Sequence, residues 1–211
     1  MGTNPKKSSV FEKHYYDYVR QLADIDMAPL LPVIDIHMDG GTCIIPFFGE
    51  DYRVSEQGIA DASGNLPSYE VCVMLCRYLL NCPLQLPVQD DWVSFRDFKD
   101  AGPLTVFYRN IVEGLIVRSF AGNIAGLQTA AETHGGHRPL LELSYDVVMR
   151  FVALPRIPLL LLFNDADDDF PPQCSLLFER RAESFLDAES IAIVGSILAN
   201  RLVHTPGLPK M

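Results

Sequence analysis

The chain has 211 residues, of which 48% are hydrophobic, and its 17 basic and 27 acidic side chains give a net charge of −10. This length fits one domain with a sizeable core, and the apolar share argues against an intrinsically disordered chain. A field of this sign repels phosphate backbones, so we predict an acidic protein with no nucleic-acid partner.

The N-terminal sequence, MGTNPKKSSVFEK, argues against a targeting signal. It has no apolar run after its two lysines, and a signal peptide requires one. The longest apolar run of the chain falls far short of the roughly 20 residues of a membrane span, so we expect no membrane partner. The five cysteines, an odd number, fit a reducing compartment better than a disulfide framework. We therefore predict a cytoplasmic location.

Helical and extended patterns follow one another along the chain. Apolar residues three and four apart indicate helices, and short apolar runs between glycine-containing turns indicate strands. The predicted helices cover about residues 9–24, 67–80, 103–120 and 123–133, and a closing helix starts at Asp187, a suitable N-cap. The predicted strands form a meander between residues 33 and 62, a short run at Trp92, and runs at about 143–151, 157–163 and 173–178.

These elements predict an α+β fold. We expect a mostly antiparallel sheet of about six or seven short strands, packed with about five helices in a single layer-type domain. The chain shows no internal repeat and no flexible linker. We therefore predict a disordered N-terminal tail over residues 1–8, one domain over residues 9–204 and a C-terminal tail over residues 205–211.

An acidic cluster follows the apolar run IPLLLLF. Asp165, Asp167 and Asp169 occupy positions one, three and five of a calcium-loop spacing. That loop also needs glycine at position six and glutamate at position twelve, where this chain has Phe170 and Leu176. Because predicted strands flank the cluster, we interpret it as the solvated turn of a β-hairpin.

Two histidines, His134 and His137, lie three residues apart in the sequence THGGHRP. Two imidazoles can share a metal ion, but no third ligand is adjacent in the sequence. Gly135 suits the left-handed residue that ends a helix, so we favour a helix terminus. The alternative is a metal-dependent enzyme that uses His134, His137 and the cluster from Asp165 to Asp169, with Asp165 and Asp167 as ligands.

Cys72 and Cys76 lie four residues apart on one face of a predicted helix, and Cys82 follows its end. Three thiols could ligate zinc or an iron–sulfur cluster, which normally takes four cysteines. The spacing matches no compact cluster motif, and a buried free cysteine is a common small hydrophobe. We favour core packing, and we leave open whether these thiols ligate a cluster under anaerobic conditions.

The chain contains no GxSxG, Walker, GxGxxG or HExxH motif, so no catalytic residue is assigned and the cofactor is unknown. Arg96, Tyr108, Arg109 and Arg156 are polar groups within apolar runs. A buried arginine is costly unless it is paired, so structural pairing is the favoured interpretation and an anionic ligand the alternative. If a pocket exists, we expect it between the sheet and the helices, near Trp92, Arg96, Tyr108 and Arg156.

Several segments together resemble a known family. They are GGTCIIPFFGEDYRV, WVSFRDF, ALPRIPLLLLF and FPPQCSLLFERRAESFLDAESIAIVGSILANRL. Their order and spacing are similar to domain of unknown function 3786, a family of anaerobic bacteria and archaea, over about Tyr15 to Val203. The resemblance implies no established activity and no catalytic residues. Some relatives carry an added four-cysteine iron–sulfur module, and this chain lacks it.

These observations lead to three hypotheses of different classes. The leading one is a non-catalytic cytosolic accessory or small-ligand-binding domain, which the resemblance associates with a redox or one-carbon enzyme partner in anaerobic metabolism. The second is the metal-dependent enzyme described above. The third is a structural subunit or homodimer.

Overall fold

The structure, a computed structural model, describes the backbone of residues 5–207 and the side chains of residues 10–207. Residues 1–4 and 208–211, which belong to the predicted tails, lie outside the described residues. In the described range, no helix is both long and apolar enough to cross a bilayer. The first helix, α1, covers Pro5–Ala23 and packs on α3, which covers Tyr69–Leu80.

The first sheet is the predicted meander. Its strands pair in sequence order and antiparallel throughout. They are β1 (His37–Asp39), β2 (Thr42–Phe47), β3 (Glu50–Ser55) and β4 (Gly58–Ala60). Gly40, Gly41 and Gly49 adopt positive φ angles in the two tight turns, which glycine adopts without steric cost.

Two details of this sheet depend on local chain geometry. The predicted strand from residue 33 starts later, because Leu31–Ile34 form a short helix, α2, that ends at the left-handed Asp35. Pro46 has no amide donor, although β2, which contains it, lies between two strands. However, β1 pairs only as far as Ile44, so Pro46 lies beyond the reach of β1 and needs no amide donor on that side.

The second half of the chain builds a second sheet and most of the remaining helices. The sheet order is β5-β8-β7-β6, again antiparallel. The strands are β5 (Trp92–Ser94), β6 (Val147–Leu154), β7 (Ile157–Asn164) and β8 (Gln173–Glu179). The helices are α4 (Thr105–Phe107), a π-helical segment (Tyr108–Glu113), α5 (Gly114–Phe120), α6 (Ile124–Thr133) and α7 (Ala188–Val203).

The α+β prediction is confirmed, with eight strands in two four-stranded sheets in the described part of the chain. The sheets meet where the Phe48 amide donates a hydrogen bond of 2.9 Å to the Ala153 carbonyl at the end of β6. One large apolar cluster then connects both sheets to the helices. Sequence periodicity shows which residues form strands, but it does not show which strands pair in the same sheet. The presence of two sheets, where one was expected, could therefore not be predicted from the sequence.

Helix α7 closes the second half of the molecule. It contacts α3, α5, α6 and the π-helical segment, and α5 and the π-helical segment both contact β8. The Asp187 side chain caps α7 by accepting the Ser190 amide at 2.9 Å, as predicted. These contacts place the helical run from Thr105 to Phe120 between α7 on one side and β8 on the other.

Candidate functional site

The helical run beside β8 changes its hydrogen-bond register in the middle. The Gly114 amide donates to the Arg109 carbonyl, five residues earlier, which defines a π turn. Gly114 permits this geometry, because a Cβ at that position would lie 3.2 Å from the Arg109 carbonyl oxygen and 2.9 Å from Nη1 of Arg118. Nη1 of Arg118 in turn donates to the Asn110 carbonyl at 3.2 Å. π turns inside helices are frequent at functional sites.

A cleft of about 630 Å³ opens beside this π turn. Three separate segments line it: the turn after β5, the helical run from α4 to α5, and the beginning of β8. Its cationic and acidic lining groups are Arg96, Arg109, Arg118 and Glu113. The remaining lining residues are Ser94, Phe95, Thr105, Tyr108, Asn110, Gly114, Val117, Pro172, Gln173, Cys174 and Ser175.

Glu113 is the acidic residue of the cleft wall. Its Oε1 accepts the Leu176 amide of β8 at 3.1 Å. Burial raises the pKa of this carboxyl, whereas the Leu176 hydrogen bond and the charge of Arg109, four residues earlier, oppose the shift. Burial also raises the pKa of the Cys174 thiol well above its ordinary value, with a further contribution from Glu113. Cys174 is therefore a protonated thiol at neutral pH and a poor nucleophile.

Tyr108 contributes a wall of the cleft and reaches into the core behind it. Its ring stacks on Phe95, with ring centres 4.2 Å apart and planes 9° apart. Its hydroxyl lies against Gly195 of α7, where a Cβ would be only 2.4 Å from the oxygen. Among the described residues the buried hydroxyl has no hydrogen-bond partner. Burial raises its pKa well above the ordinary value, so it stays protonated.

The four residues expected near a pocket fall into two groups. Arg96 and Tyr108 both line the cleft. Trp92 packs instead on a separate small apolar cluster that includes Leu160. Arg156 is held elsewhere by structural partners, with Nε donating to the Val33 carbonyl at 2.9 Å.

The Arg156 contacts match the favoured interpretation of structural pairing. Its amide donates to the Tyr78 hydroxyl at 3.3 Å, and Nη2 lies 3.7 Å from the Asp35 carboxylate. Arg109 was singled out as a polar group within an apolar run, but it was not placed near the expected pocket. Glu113, Arg118 and Cys174 were not among the candidate site residues. The sequence signal near Glu113 and Arg118 is Gly114 inside a predicted helix, since glycine there is costly and often marks a close approach.

The histidines of the metal-enzyme alternative occupy the end of α6 and the edge of the second sheet. His134 is the C-terminal cap of α6, and Gly135 follows with a φ of +78°, as the helix-terminus interpretation predicted. Nε2 of His134 lies 3.1 Å from the Thr205 hydroxyl, and burial lowers the pKa of this imidazole. The His137 backbone pairs with Arg150 of β6.

The acidic cluster connects β7 to β8, which pair antiparallel, so the hairpin interpretation is confirmed. Both carboxylate oxygens of Asp165 accept the Gly122 amide at 2.9 Å. Asp167 accepts the amides of Asp169 and Phe170 at 2.9 and 2.7 Å. In residues 10–207, no three His, Cys, Asp or Glu side chains are grouped as metal ligands would be.

The thiols on α3 lie in the hydrophobic core. Cys72 and Cys76 are fully buried, and burial raises the pKa of each to about 12. Cys82 is half-buried, and burial raises its pKa to about 11. All three thiols are therefore protonated at neutral pH and pack as small apolar groups.

Two smaller cavities lie elsewhere, each about half the volume of the cleft. One, of about 310 Å³, lies between Lys99, Asp100 and the turn before α7. The other, of about 330 Å³, lies between α1, α3 and α7, near His14 and Arg77. Neither combines a helix distortion with several convergent charged groups, so the cleft beside the π turn is the candidate site.

Comparison of the chain with known proteins identifies a family, but no individual relative. No curated protein and no solved structure matches it. The family model described as "Domain of unknown function (DUF3786)" matches residues 30–201. This span contains every residue that lines the cleft. Because the model matches well over half of the 211 residues, the chain belongs to the DUF3786 family.

Proposed function

We propose that this protein is a non-catalytic cytoplasmic accessory domain that binds a small molecule in the cleft beside the π turn. The observation that carries the proposal is the cleft itself, which brings polar groups from three chain segments around about 630 Å³. Pockets for small molecules typically measure about 300–1,000 Å³ and combine apolar walls with a few convergent polar groups. Phe95, Val117 and Pro172 supply such walls here.

The two potential nucleophiles of the cleft lining support binding rather than nucleophilic chemistry. The Cys174 thiol and the Tyr108 hydroxyl are both protonated at neutral pH, because burial raises their pKa values. Neither is activated by a neighbouring base in the way that nucleophilic catalysis requires. We further propose an association with anaerobic redox or one-carbon enzymes, and this part rests on the family resemblance.

A ligand screen tests the binding proposal. The full-length protein, kept oxygen-free, is heated with nucleotides, flavins, organic acids, haems and corrinoids, and its unfolding temperature is measured. A ligand at one hundred times its Kd stabilises a protein by about 2.7 kcal/mol. For a chain of this length, that corresponds to a rise of about 5–10 °C in Tm. We expect at least one compound class to give such a shift.

Two matched variants localise the effect. Gln173→Trp places a large ring at an exposed position of the cleft wall and should abolish the shift. Gln57→Trp makes the same change at an exposed turn of the first sheet and should leave the shift intact. The proposal fails if no compound raises Tm, or if both variants respond like the wild type.

As an alternative function, we propose that the protein is a structural subunit or a homodimer. Leu84 and Val88 in the loop before β5 are 87% and 90% exposed, and Leu140 in the loop before β6 is fully exposed. Exposed apolar surface of this kind marks contact sites when it is contiguous. Light scattering that finds one chain per particle at micromolar concentration would exclude the homodimer.

A further inference from the structure

The cleft has a positive charge balance in a negative protein. Three guanidinium groups line it, those of Arg96, Arg109 and Arg118, whereas Glu113 is its one carboxyl among the described residues. The whole chain carries a net charge of −10. Concave sites lined by one sign of charge concentrate ligands of the opposite sign. The positive charge of the cleft therefore attracts an anion, although the net charge of the whole protein is negative.

The arginines of the cleft have few carboxylate partners, although Arg109 interacts electrostatically with Glu113. Within residues 10–207, Arg109 and Arg118 form no ion pair with a carboxylate. Arg96 has only a long contact, 3.8 Å from Nε to Asp97. That carboxylate also accepts the Ser94 amide and hydroxyl. An ion pair with a carboxylate, which Arg156 forms with Asp35, is therefore not what positions Arg109 and Arg118.

The π turn fixes one of these cations in place. Arg118 donates to the Asn110 carbonyl at 3.2 Å, and its guanidinium fills the space left by the missing side chain of Gly114. One Nη atom is engaged in this way, and the planar fork retains donors for a ligand. Arg109 lies on the same π turn, with its carbonyl accepting the Gly114 amide. The helix distortion thus brings two arginines to one cleft.

Part of the cleft lining is apolar. Val117 and Pro172 are half-buried there, whereas the stacked rings of Phe95 and Tyr108 are almost fully buried. An inorganic anion would leave the apolar groups without a partner. A ligand with an apolar body and one anionic group would use both parts of the lining.

We propose that the ligand is a small organic anion, with a carboxylate or phosphate group held by Arg109 and Arg118 and an apolar body against Val117 and Pro172. This inference rests on the proposed function, because it names the ligand class of the same cleft. Arginine suits the role because its fork can bind the two oxygens of a carboxylate or phosphate together.

Four small aromatic probes separate charge from shape. Benzoate, benzamide and benzamidine have nearly the same shape, with negative, neutral and positive charge, and phenyl phosphate replaces the carboxylate by phosphate. Each is titrated into the full-length protein while the backbone amide signals are followed by NMR. We expect benzoate or phenyl phosphate to perturb residues 94–96, 108–118 and 173–175. Benzamide should bind at least tenfold more weakly, and benzamidine should not bind.

Matched arginine variants test the assignment of residues. Arg109→Gln removes one cation from the cleft and should weaken binding of the anionic probe about tenfold, the usual effect of one hydrogen bond to a charged group. Arg53→Gln removes an exposed cation from β3 of the first sheet and should change nothing. Unfolding temperatures of the two variants show whether each remains folded.

Three outcomes would overturn the inference. In the first, the anionic probes and the neutral benzamide bind with equal affinity. In the second, benzamidine binds. In the third, Arg109→Gln leaves the affinity for the anionic probe unchanged. If neither anion binds but a neutral compound from the screen stabilises the protein through the cleft, the anion inference alone fails. If no compound of either kind binds, the proposed function fails with it.

Discussion

The buried hydroxyl of Tyr108 lacks a hydrogen-bond partner among the described residues. A buried polar group left unpaired costs about 1–3 kcal/mol. Unpaired buried polar groups are rare in native proteins, and each one calls for a specific explanation. The Tyr108 ring stacks on Phe95 in the cleft wall. This packing explains why an aromatic ring is present here, but it does not need the hydroxyl.

Tyr108→Phe should therefore stabilise the protein. The substitution keeps the stacked ring and removes the unpaired hydroxyl, so we expect a gain of about 1 kcal/mol in the free energy of unfolding. Urea unfolding at constant pH measures this quantity. A loss of 1 kcal/mol or more would show that the hydroxyl has a partner. As a contrast, Gly195→Ala should destabilise by about 1–3 kcal/mol, because its Cβ would lie 2.4 Å from the same hydroxyl.

Glu113 makes the stability of the folded protein depend on pH, and the direction of that dependence follows from its pKa shift. Burial raises the pKa of its carboxyl, and the hydrogen bond from the Leu176 amide and the charge of Arg109 partly offset this shift. The other titratable groups that interact with it, Tyr108 and Cys174, remain protonated at neutral pH because burial raises their pKa values too. The folded state therefore binds the Glu113 proton more tightly than the unfolded state. This stability is present at acid pH and is lost as pH rises through the folded-state pKa.

Glu113→Gln should remove this loss. The amide resembles the protonated carboxyl and can still accept the Leu176 amide through its oxygen. We expect the variant to match the wild type at about pH 4 and to be more stable at about pH 7.5. Urea unfolding at both pH values measures the difference. A variant that is less stable than the wild type at the higher pH would contradict the sign of the pKa shift.

At the scale of elements, Asp187 joins two helices. Its carboxylate caps α7 through the Ser190 amide at 2.9 Å and also forms an ion pair with Arg77 of α3. Loss of a cap costs about 1 kcal/mol, within a range of about 0.5–2 kcal/mol. The ion pair is half-exposed, and exposed pairs contribute at most about 1 kcal/mol.

Asp187→Asn and Asp187→Ala separate these two roles. Asparagine can still cap the helix, whereas alanine can neither cap nor pair. We expect alanine to lower the unfolding temperature by about 2–4 °C, the shift that about 1 kcal/mol produces in a chain of this length. Asparagine should lower it by less than half as much. Equal losses would assign the effect to the ion pair with Arg77.

Some elements could be predicted because their signals are local. The Asp187 cap and the end of α6 at Gly135 depend on residues within one helical turn. The π turn could not be predicted, because a regular helix was expected across residues 103–120. In the π turn the Gly114 amide donates to the carbonyl five residues earlier and Arg118 donates to the Asn110 carbonyl, and no helical periodicity encodes either contact.

The site was predictable only in part for a related reason. Arg96, Tyr108, Arg109 and Arg156 were singled out as polar groups within apolar runs, and all except Arg156 line the cleft. Glu113 and Cys174 belong to the site because the helical run packs on β8, with Glu113 accepting the Leu176 amide. That contact joins residues 63 positions apart, so the sequence alone does not reveal it.

At the scale of the molecule, the cleft lies where the two kinds of structure in the second half of the chain meet. The π turn presents arginines from the helical side, and the start of β8 supplies the facing strand. The thiols of α3 and the carboxylates of the acidic hairpin are engaged in packing and in loop hydrogen bonds. Our account therefore assigns binding to this one cleft.

The most direct test is to map the bound ligand on the protein. Backbone amide signals are recorded with and without the compound that most raises the unfolding temperature. The account predicts that shifted signals concentrate in residues 94–96, 108–118 and 173–175, and that Gln173→Trp abolishes the shifts. Shifts concentrated instead around His14, Tyr18 and Arg77, in the groove between α1, α3 and α7, would contradict it.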